Sequence, residues 1–219
     1  FLTTADDSGD QSERMRIDSS GNVGIGVTPT HNFNLQGTGT VESRFRSTDG
    51  DCSLQISSDT DEGQNSELAF YSGTTNRGSI VYDHNTTAAS QNMLFKTGDN
   101  AVTAMTIDGA GSVGIGVTPE SWATFTPLQI GENAALFAHA DGTGAGSALH
   151  IAANAYYNSG YKYIIGASDE ASKYTLENGK HIFYTAPAGT AGNAITFTTN
   201  FVLDTNSRIS LSNNDSGSQ

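Results

Sequence analysis

Paired carboxylates are the side chains of this 219-residue chain that could hydrolyse a glycosidic bond. Such chemistry needs two carboxyl groups roughly 5–10 Å apart, one to protonate the leaving group and one to activate water or attack the sugar. No pair here is singled out by its spacing, and acidic turns are usually just solvated. The sequence therefore predicts no catalytic residue. A polysaccharide-degrading hydrolase or lyase is kept as an alternative to a role without catalysis. Its candidate carboxylates are Asp49, Asp51, Asp59, Asp61, Glu62, Asp83, Asp169 and Glu170.

Metal and thiol chemistry have weak support in the sequence. Residues 59–63 begin like a calcium loop, but Gly63 stands where a ligand belongs and Phe70 where the closing Glu is needed. Cys52 has no second cysteine for an intrachain disulfide and no visible base to activate its thiol. We therefore expect no metal site and no cofactor. The histidines lie far apart, at His31, His84, His139, His150 and His181.

The glycine spacing and the charge argue against nucleotide and nucleic-acid binding. Gly24 and Gly26 begin like a dinucleotide fingerprint, but Pro29 stands where a third glycine would open a helix, and Pro119 stands there in a second copy. The formal net charge is −13, and the sequence indicates no basic patch that could neutralise the phosphates of a nucleic acid. The sequence has no run of about 18 apolar residues, so we expect no membrane insertion.

Aromatic residues concentrated in the second half of the chain are candidates for binding a sugar. Exposed rings can stack on sugar faces, and the tyrosine hydroxyl suits a wet interface. The alternative is that the same rings fill the core of that part of the chain. The candidate ligand-binding residues are Trp122, Tyr156, Tyr157, Tyr161, Tyr163 and Tyr174.

A sequence that occurs twice organises the elements that position these side chains. Residues 15–29 (MRIDSSGNVGIGVTP) and 105–119 (MTIDGAGSVGIGVTP) are identical at eleven of fifteen positions and start ninety residues apart. Residues 201–212 (FVLDTNSRISLS) keep the apolar-x-apolar-Asp opening. Period-two apolar positions around a cluster of turn formers predict strand, turn, strand, with Asp18 and Asp108 bonding the turn backbone. The chain is therefore a tandem array.

The repeat predicts which side chains face the centre of an assembly. We expect its alternating apolar residues to be buried near a molecular axis or between chains: Met15, Ile17, Val23, Ile25, Val27, Met105, Ile107, Val113, Ile115 and Val117. Glycine in a strand costs roughly 0.5–1 kcal/mol relative to alanine, so paired glycines favour a face that another backbone approaches closely. These are Gly24, Gly26, Gly114 and Gly116. The alternative is a hairpin in a monomeric sandwich, where glycine marks a bulge.

The composition and pattern predict an all-β protein. Only 36 % of the residues are hydrophobic and 25 are glycine, which is too polar for a thick core but too patterned for disorder. The best helix candidate, residues 145–157, can also be interpreted as strand. Strand-like runs recur between turn residues, at 53–57, 67–71, 79–82, 93–96, 101–107, 161–165, 181–185, 194–198 and 201–203.

The repeat also carries a family resemblance. Residues 14–26 (RMRIDSSGNVGIG), followed by a Thr-Pro turn, resemble the repeat common in tail fibres and neck or tail appendages of tailed bacteriophages. Segments 128–131, 154–157, 161–164 and 180–184 resemble a module found between such repeats, and SRISLSNNDSG at 207–217 resembles the segment before a C-terminal intramolecular chaperone. The resemblance implies a fibrous, β-rich homotrimer intertwined around a three-fold axis. It also implies assembly assisted by that chaperone domain, which is cleaved afterwards.

These observations predict an elongated, intertwined homotrimer, β-helix- or β-prism-like, with two tandem modules. Residues 1–29 form the end of a preceding module plus the first repeat, 30–119 form module 1, and 120–219 form module 2. The start at Phe1, in mid-pattern, is interpreted as the start of a fragment. The expected role is a structural and host-recognition segment of a virion appendage. Its expected partners are two further copies of itself, a cell-surface glycan or other receptor, and the chaperone domain during assembly.

Overall fold

The computed structural model divides into two units, Phe1–Gln55 and Ile56–Gln219. The candidate carboxylates Asp59, Asp61 and Glu62, and with them most of the calcium-like loop, lie outside the described residues. The module boundaries after residues 29 and 119 stay a prediction. The residues that the structure describes are 1–4, 11–58, 63–139, 148–165 and 169–211.

The first unit contains five short strands among its described residues. β1 and β2 pair antiparallel, β3 and β4 pair antiparallel, and β4 lies parallel to β5. The predicted strand at residues 53–57 is wrong, because its side chains are all exposed and there is no cross-strand packing to stabilise it. The strands are β1 (Leu2–Thr4), β2 (Gln11–Glu13), β3 (Met15–Ile17), β4 (Val23–Ile25) and β5 (Phe33–Leu35).

The second unit is built on one sheet of twelve strands. Their order is β19-β18-β17-β16-β13-β12-β11-β10-β9-β8-β7-β6, and neighbours are antiparallel except for the parallel pair β10 and β11. The strands are β6 (Asn65–Ser72), β7 (Thr75–Asp83), β8 (Asn92–Thr97), β9 (Val102–Asp108), β10 (Val113–Ile115), β11 (Phe125–Ile130), β12 (Ala134–His139), β13 (Ala148–Ala153), β16 (Asp169–Glu177), β17 (Lys180–Gly189), β18 (Thr198–Leu203) and β19 (Ile209–Leu211). A separate hairpin pairs β14 (Tyr156–Tyr157) with β15 (Tyr161–Lys162).

The prediction of an all-β fold is confirmed. Apart from a 3₁₀ turn at Ala88–Ser90, the regular structure in the described ranges is strand. The described part of the ambiguous helix candidate, residues 148–157, contains β13 and β14. The alternation of its apolar residues therefore indicated the correct structure, and its alanine content did not. Predicted strands at 67–71, 79–82 and 93–96 lie within β6, β7 and β8.

The three repeat copies share one turn, built on an aspartate. Its Oδ1 accepts hydrogen bonds from the backbone N–H groups two and four residues on, at 2.8 and 3.0 Å for Asp18, 2.9 and 2.8 Å for Asp108, and 2.9 and 3.0 Å for Asp204. Three residues after the aspartate the backbone is left-handed, at glycine in the first two copies and at Ser207 (φ +61°) in the third. The predicted side-chain-to-backbone bonding is confirmed, and it extends to the third copy.

Asp108→Ala is expected to lower the free energy of unfolding by about 1–2 kcal/mol, because the buried N–H of Ser112 loses its acceptor. Urea denaturation measures the change. The control is Asp51→Ala, at an exposed position, where a change below about 0.5 kcal/mol is expected. Equal losses in the two variants would show that the turn hydrogen bonds contribute little.

Two of the predicted close-approach glycines, Gly24 and Gly114, are covered by the segment of their own chain that follows the strand. A Cβ on Gly24 would overlap the carbonyl oxygen of Val27 and lie 2.8 Å from Cδ of Pro29. The equivalent Val-Thr-Pro segment covers Gly114 in the same way. The backbone that comes close is therefore the turn following the strand, and it requires no second chain.

The other two glycines have a conformational reason. Gly26 and Gly116 both have left-handed backbones, with φ +74° and +68°. The carbonyl oxygen of Gln36 also closes the space beside Gly26, whereas no atom lies within 4 Å of a Cβ built on Gly116. Within the chain, no backbone comes close to Gly116. Glycine is favoured there because the turn requires a left-handed backbone.

Candidate functional site

One row of large apolar side chains crosses the twelve-stranded sheet on a single face. Directly paired residues on neighbouring strands share a face, because side chains alternate along each strand. Following the register from β7 to β18 connects Tyr82, Met93, Ile107, Val113, Leu128, Leu136, Ile151, Tyr174, Phe183 and Phe201. Each of these ten strands therefore contributes an aromatic or aliphatic side chain to this face.

A second row on the same face lies two residues away along each strand. From β6 to β11 it connects Leu68, Ile80, Phe95, Met105, Ile115 and Ile130. We call the side of the sheet that bears these two rows the open face. It is partly exposed in the chain: Ile151 exposes 52 %, Ile130 50 % and Phe183 45 % of its surface, whereas other members of the two rows are more buried. None of the residues in either row is charged, although 15 % of the chain is.

The open face contains four of the predicted assembly residues of the second copy, Met105, Ile107, Val113 and Ile115. In the first unit the register pairs Met15 with Ile25 and Ile17 with Val23, so these four also share one face of their small sheet. Val27 and Val117 lie after the strands, in the Val-Thr-Pro turns. That all ten are buried between chains stays a prediction, since a single chain does not test it.

Over β11–β17 the opposite face of the sheet is covered by an aromatic layer. Trp122, Tyr156 and Tyr163 expose only 9, 9 and 5 % of their surfaces and pack with Phe137 and Ile195. These three rings therefore belong to the core and not to an exposed surface, which is the arrangement of the core alternative. They are buried because the connector after β10 and the β14–β15 hairpin fold back over the sheet.

The remaining aromatic candidates are also divided. Tyr157 and Tyr161 are partly buried and pack against the same aromatic layer. Tyr174 lies on the open face, where its ring stacks on Phe183 with centroids 4.7 Å apart. The structure therefore brings five of the six predicted residues together as a core and places the sixth on the other side of the sheet.

Sequence reasoning missed the most unusual side chain of the aromatic layer. Lys173 is buried, and its Nζ lies 4.1, 4.5 and 5.2 Å from the ring centroids of Tyr161, Tyr184 and Phe197. It donates a hydrogen bond of 2.9 Å to the Tyr161 hydroxyl. Burial lowers the pKa of Lys173 to about 8 and raises that of the Tyr161 hydroxyl above its usual range. The sequence signal for its burial is its place in β16, where Lys173 shares a face with Ala171 and Thr175, which are both buried.

A buried histidine lies beside this lysine in the same layer. His150 hydrogen-bonds through Nδ1 to the Thr175 hydroxyl at 2.9 Å. Burial, with the nearby charge of Lys173, lowers the pKa of His150 to about 4. Because a lowered pKa opposes protonation in the folded state, the imidazole is neutral at pH 7 and acts as a structural hydrogen-bonding group.

Stability is expected to rise with pH between 7 and 9.5 because of Lys173. Its pKa is lowered from 10.5 to about 8, so the unfolded chain holds the proton more tightly, and the resulting penalty on folding is relieved as pH rises from 8 towards 10.5. The expected gain is about 1–2 kcal/mol, less than desolvation alone would produce because the three rings favour the cation. Urea denaturation at both pH values measures it. Lys173→Met should remove the gain, and an undiminished gain would contradict this assignment.

The described carboxylate candidates lie at exposed positions or at a strand end. Asp49, Asp51, Asp169 and Glu170 are exposed, and Asp83 ends β7. Among the described residues no three His, Cys, Asp or Glu side chains are arranged to hold a metal ion. The described helical structure also includes nothing long and apolar enough to cross a membrane.

With this geometry in place, the comparisons add no family. No protein-family model matches the chain, and no curated protein matches it significantly. The observations that bear on function are the two faces of the sheet and the residues that resemble the phage-appendage repeat.

Proposed function

We propose that this chain is a structural and host-recognition segment of a phage tail fibre or appendage, and that it assembles as a homotrimer. The open face is the observation that carries the assembly part of the proposal. Its two uncharged rows leave large aliphatic and aromatic side chains partly exposed across the sheet. Soluble monomers rarely expose contiguous apolar patches larger than a few hundred Å², so a face of this extent favours burial against a partner.

A second copy of the same chain is the occupant that the chemistry favours. An uncharged surface attracts no oppositely charged partner. Each copy has a net charge of −13, so an interface free of charged side chains avoids repulsion between the copies. The side chains of the open face differ across the sheet, with aromatic ones on β16–β18 and aliphatic ones on β9–β11. A three-fold assembly joins unlike patches head to tail and closes on itself, which suits a face with two different patches.

The recognition part of the proposal rests on the resemblance. The VGIG repeat resembles a repeat of virion appendages, and this resemblance supports a location in the virion and a partner on the host surface. A cell-surface glycan is the proposed receptor class. The C-terminal chaperone domain implied by the resemblance would be a partner during assembly only.

Binding to bacterial cells tests the recognition role. The fluorescently labelled protein is expected to bind a subset of strains in a Gram-negative and Gram-positive panel, and to lose binding after periodate oxidation of surface sugars. Binding that is unaffected by periodate but lost after protease treatment would contradict a glycan receptor. Release of reducing sugars from the bound polysaccharide would favour the hydrolase or lyase alternative instead.

A further inference from the structure

The second row of the open face changes in side-chain size halfway across the sheet. The register continues it beyond Ile130, through directly paired residues on β12, β13, β16 and β17. Four large side chains on β8–β11 are thereby followed by four small ones, and all eight share one face because directly paired residues do. The large half of the row is Phe95, Met105, Ile115 and Ile130, and the small half is Ala134, Ala153, Ser172 and Thr185.

The small half forms the floor of a groove in the open face. The groove has a volume of about 460 Å³, and the first row forms one of its walls with Ile151, Tyr174 and Phe183. Its lining on this face includes no charged side chain, since Lys173 points to the other side of the sheet, into the aromatic layer. The groove is therefore an uncharged depression, made where small side chains lie beside large ones.

The large half of the row projects from the same face. Ile115 exposes 39 % and Ile130 50 % of its surface in the single chain. With about 200 Å² for a large apolar side chain, the most exposed members of the two rows together present on the order of 600 Å². A stable interface buries about 800 Å² on each partner. The open face, with its less exposed members included, therefore has the area that assembly needs.

Size and charge together select the occupant of the groove. A charged peptide or an anionic glycan finds no counter-charge there. The large half of another copy is uncharged, protrudes, and has as many members as the small half that it would cover. We propose that the groove of one copy receives the large half of a second copy, and that three copies close head to tail through this contact. The proposal rests on the proposed homotrimer and names the surfaces that meet in it.

Cross-linking between two introduced cysteines tests the contact on the full chain. The variant carries Ile115→Cys in the large half and Ser172→Cys in the small half, both at exposed positions, with Cys52→Ser to remove the exposed native thiol. Within one chain the two positions are four strand spacings apart, on the order of 19 Å, which is too far for a disulfide or a short bismaleimide. A short bismaleimide is expected to give a covalent trimer on a denaturing gel.

The single-cysteine variants and the solution mass separate the outcomes. Ile115→Cys or Ser172→Cys alone should give no covalent product, because unlike patches meet. A covalent dimer from either single variant, or a double variant that stops at a covalent dimer, would overturn head-to-tail docking. A protein of trimer mass whose double variant is not cross-linked would overturn the groove contact and leave the homotrimer standing. A parent protein of monomer mass would overturn both.

Filling the groove provides a second measurement. Ser172→Phe adds a ring at an exposed position on its floor and should raise the concentration at which the trimer dissociates by at least tenfold. Thr199→Phe is the matched control, at an exposed position that pairs with Tyr184 on the opposite face, and should change it less than twofold. An unchanged Ser172→Phe trimer would contradict the proposal. If that intact trimer also loses binding to bacterial cells, the groove belongs to a glycan receptor instead.

Discussion

Phe183→Asp is expected to convert the proposed homotrimer into monomers that keep their β-structure. Phe183 lies in the middle of the aromatic part of the open face, between Tyr174 and Phe201, and exposes 45 % of its surface in the single chain. An unpaired charge buried at an interface costs about 3–5 kcal/mol. Each interface would lose roughly a hundredfold to several thousandfold in affinity, while the core on the other side of the sheet is untouched.

Light scattering after size exclusion and far-ultraviolet circular dichroism measure the two halves of this prediction. The control is Ser159→Asp in the β14–β15 turn, which introduces the same charge on the other side of the sheet at a left-handed position (φ +54°) that aspartate tolerates. The control should remain trimeric. A Phe183→Asp protein that keeps the parent mass would show that the open face is not the interface.

Gly114→Ala is expected to destabilise the protein by about 3 kcal/mol and to lower Tm by roughly 6–12 °C. The added methyl group would overlap the carbonyl oxygen of Val117 and lie 2.9 Å from Cδ of Pro119. Both contacts belong to backbone or to a proline ring, which do not move aside as a flexible side chain does. The Val-Thr-Pro turn would therefore shift away from β10.

Gly116→Ala provides the matched comparison within the same motif. No atom lies within 4 Å of a Cβ there, so the substitution costs only the left-handed strain at φ +68°, about 1–2 kcal/mol. Differential scanning calorimetry of both variants measures the difference. Similar shifts in Tm for the two glycines would show that conformation, and not close approach, explains the glycine at position 114.

The local features of the fold could be predicted from the sequence because they depend on neighbours along the chain. The aspartate turn followed from residue types at fixed offsets, and the alternation in VGIG identified Val113 and Ile115 as sharing one side. The third copy was recognisable from its Asp204 although its glycine is replaced by Ser207. Hydrogen bonds over two to four residues need no information from elsewhere in the fold.

The long-range features could not be predicted from pattern alone. The sequence leaves Trp122 and Tyr156 open as sugar contacts, because it does not show that the connector and the β14–β15 hairpin fold over the sheet. The parallel pairing of β10 with β11 depends on that same connector. Lys173 stands out only once its neighbours across the sheet are known.

The solution mass of this chain, measured by light scattering after size exclusion, tests the central claim most directly. The proposed assembly predicts a mass near three times 22.9 kDa, stable on dilution to low micromolar concentration. A mass of 22.9 kDa over the same range would contradict it, because the open face would then remain exposed to water in solution.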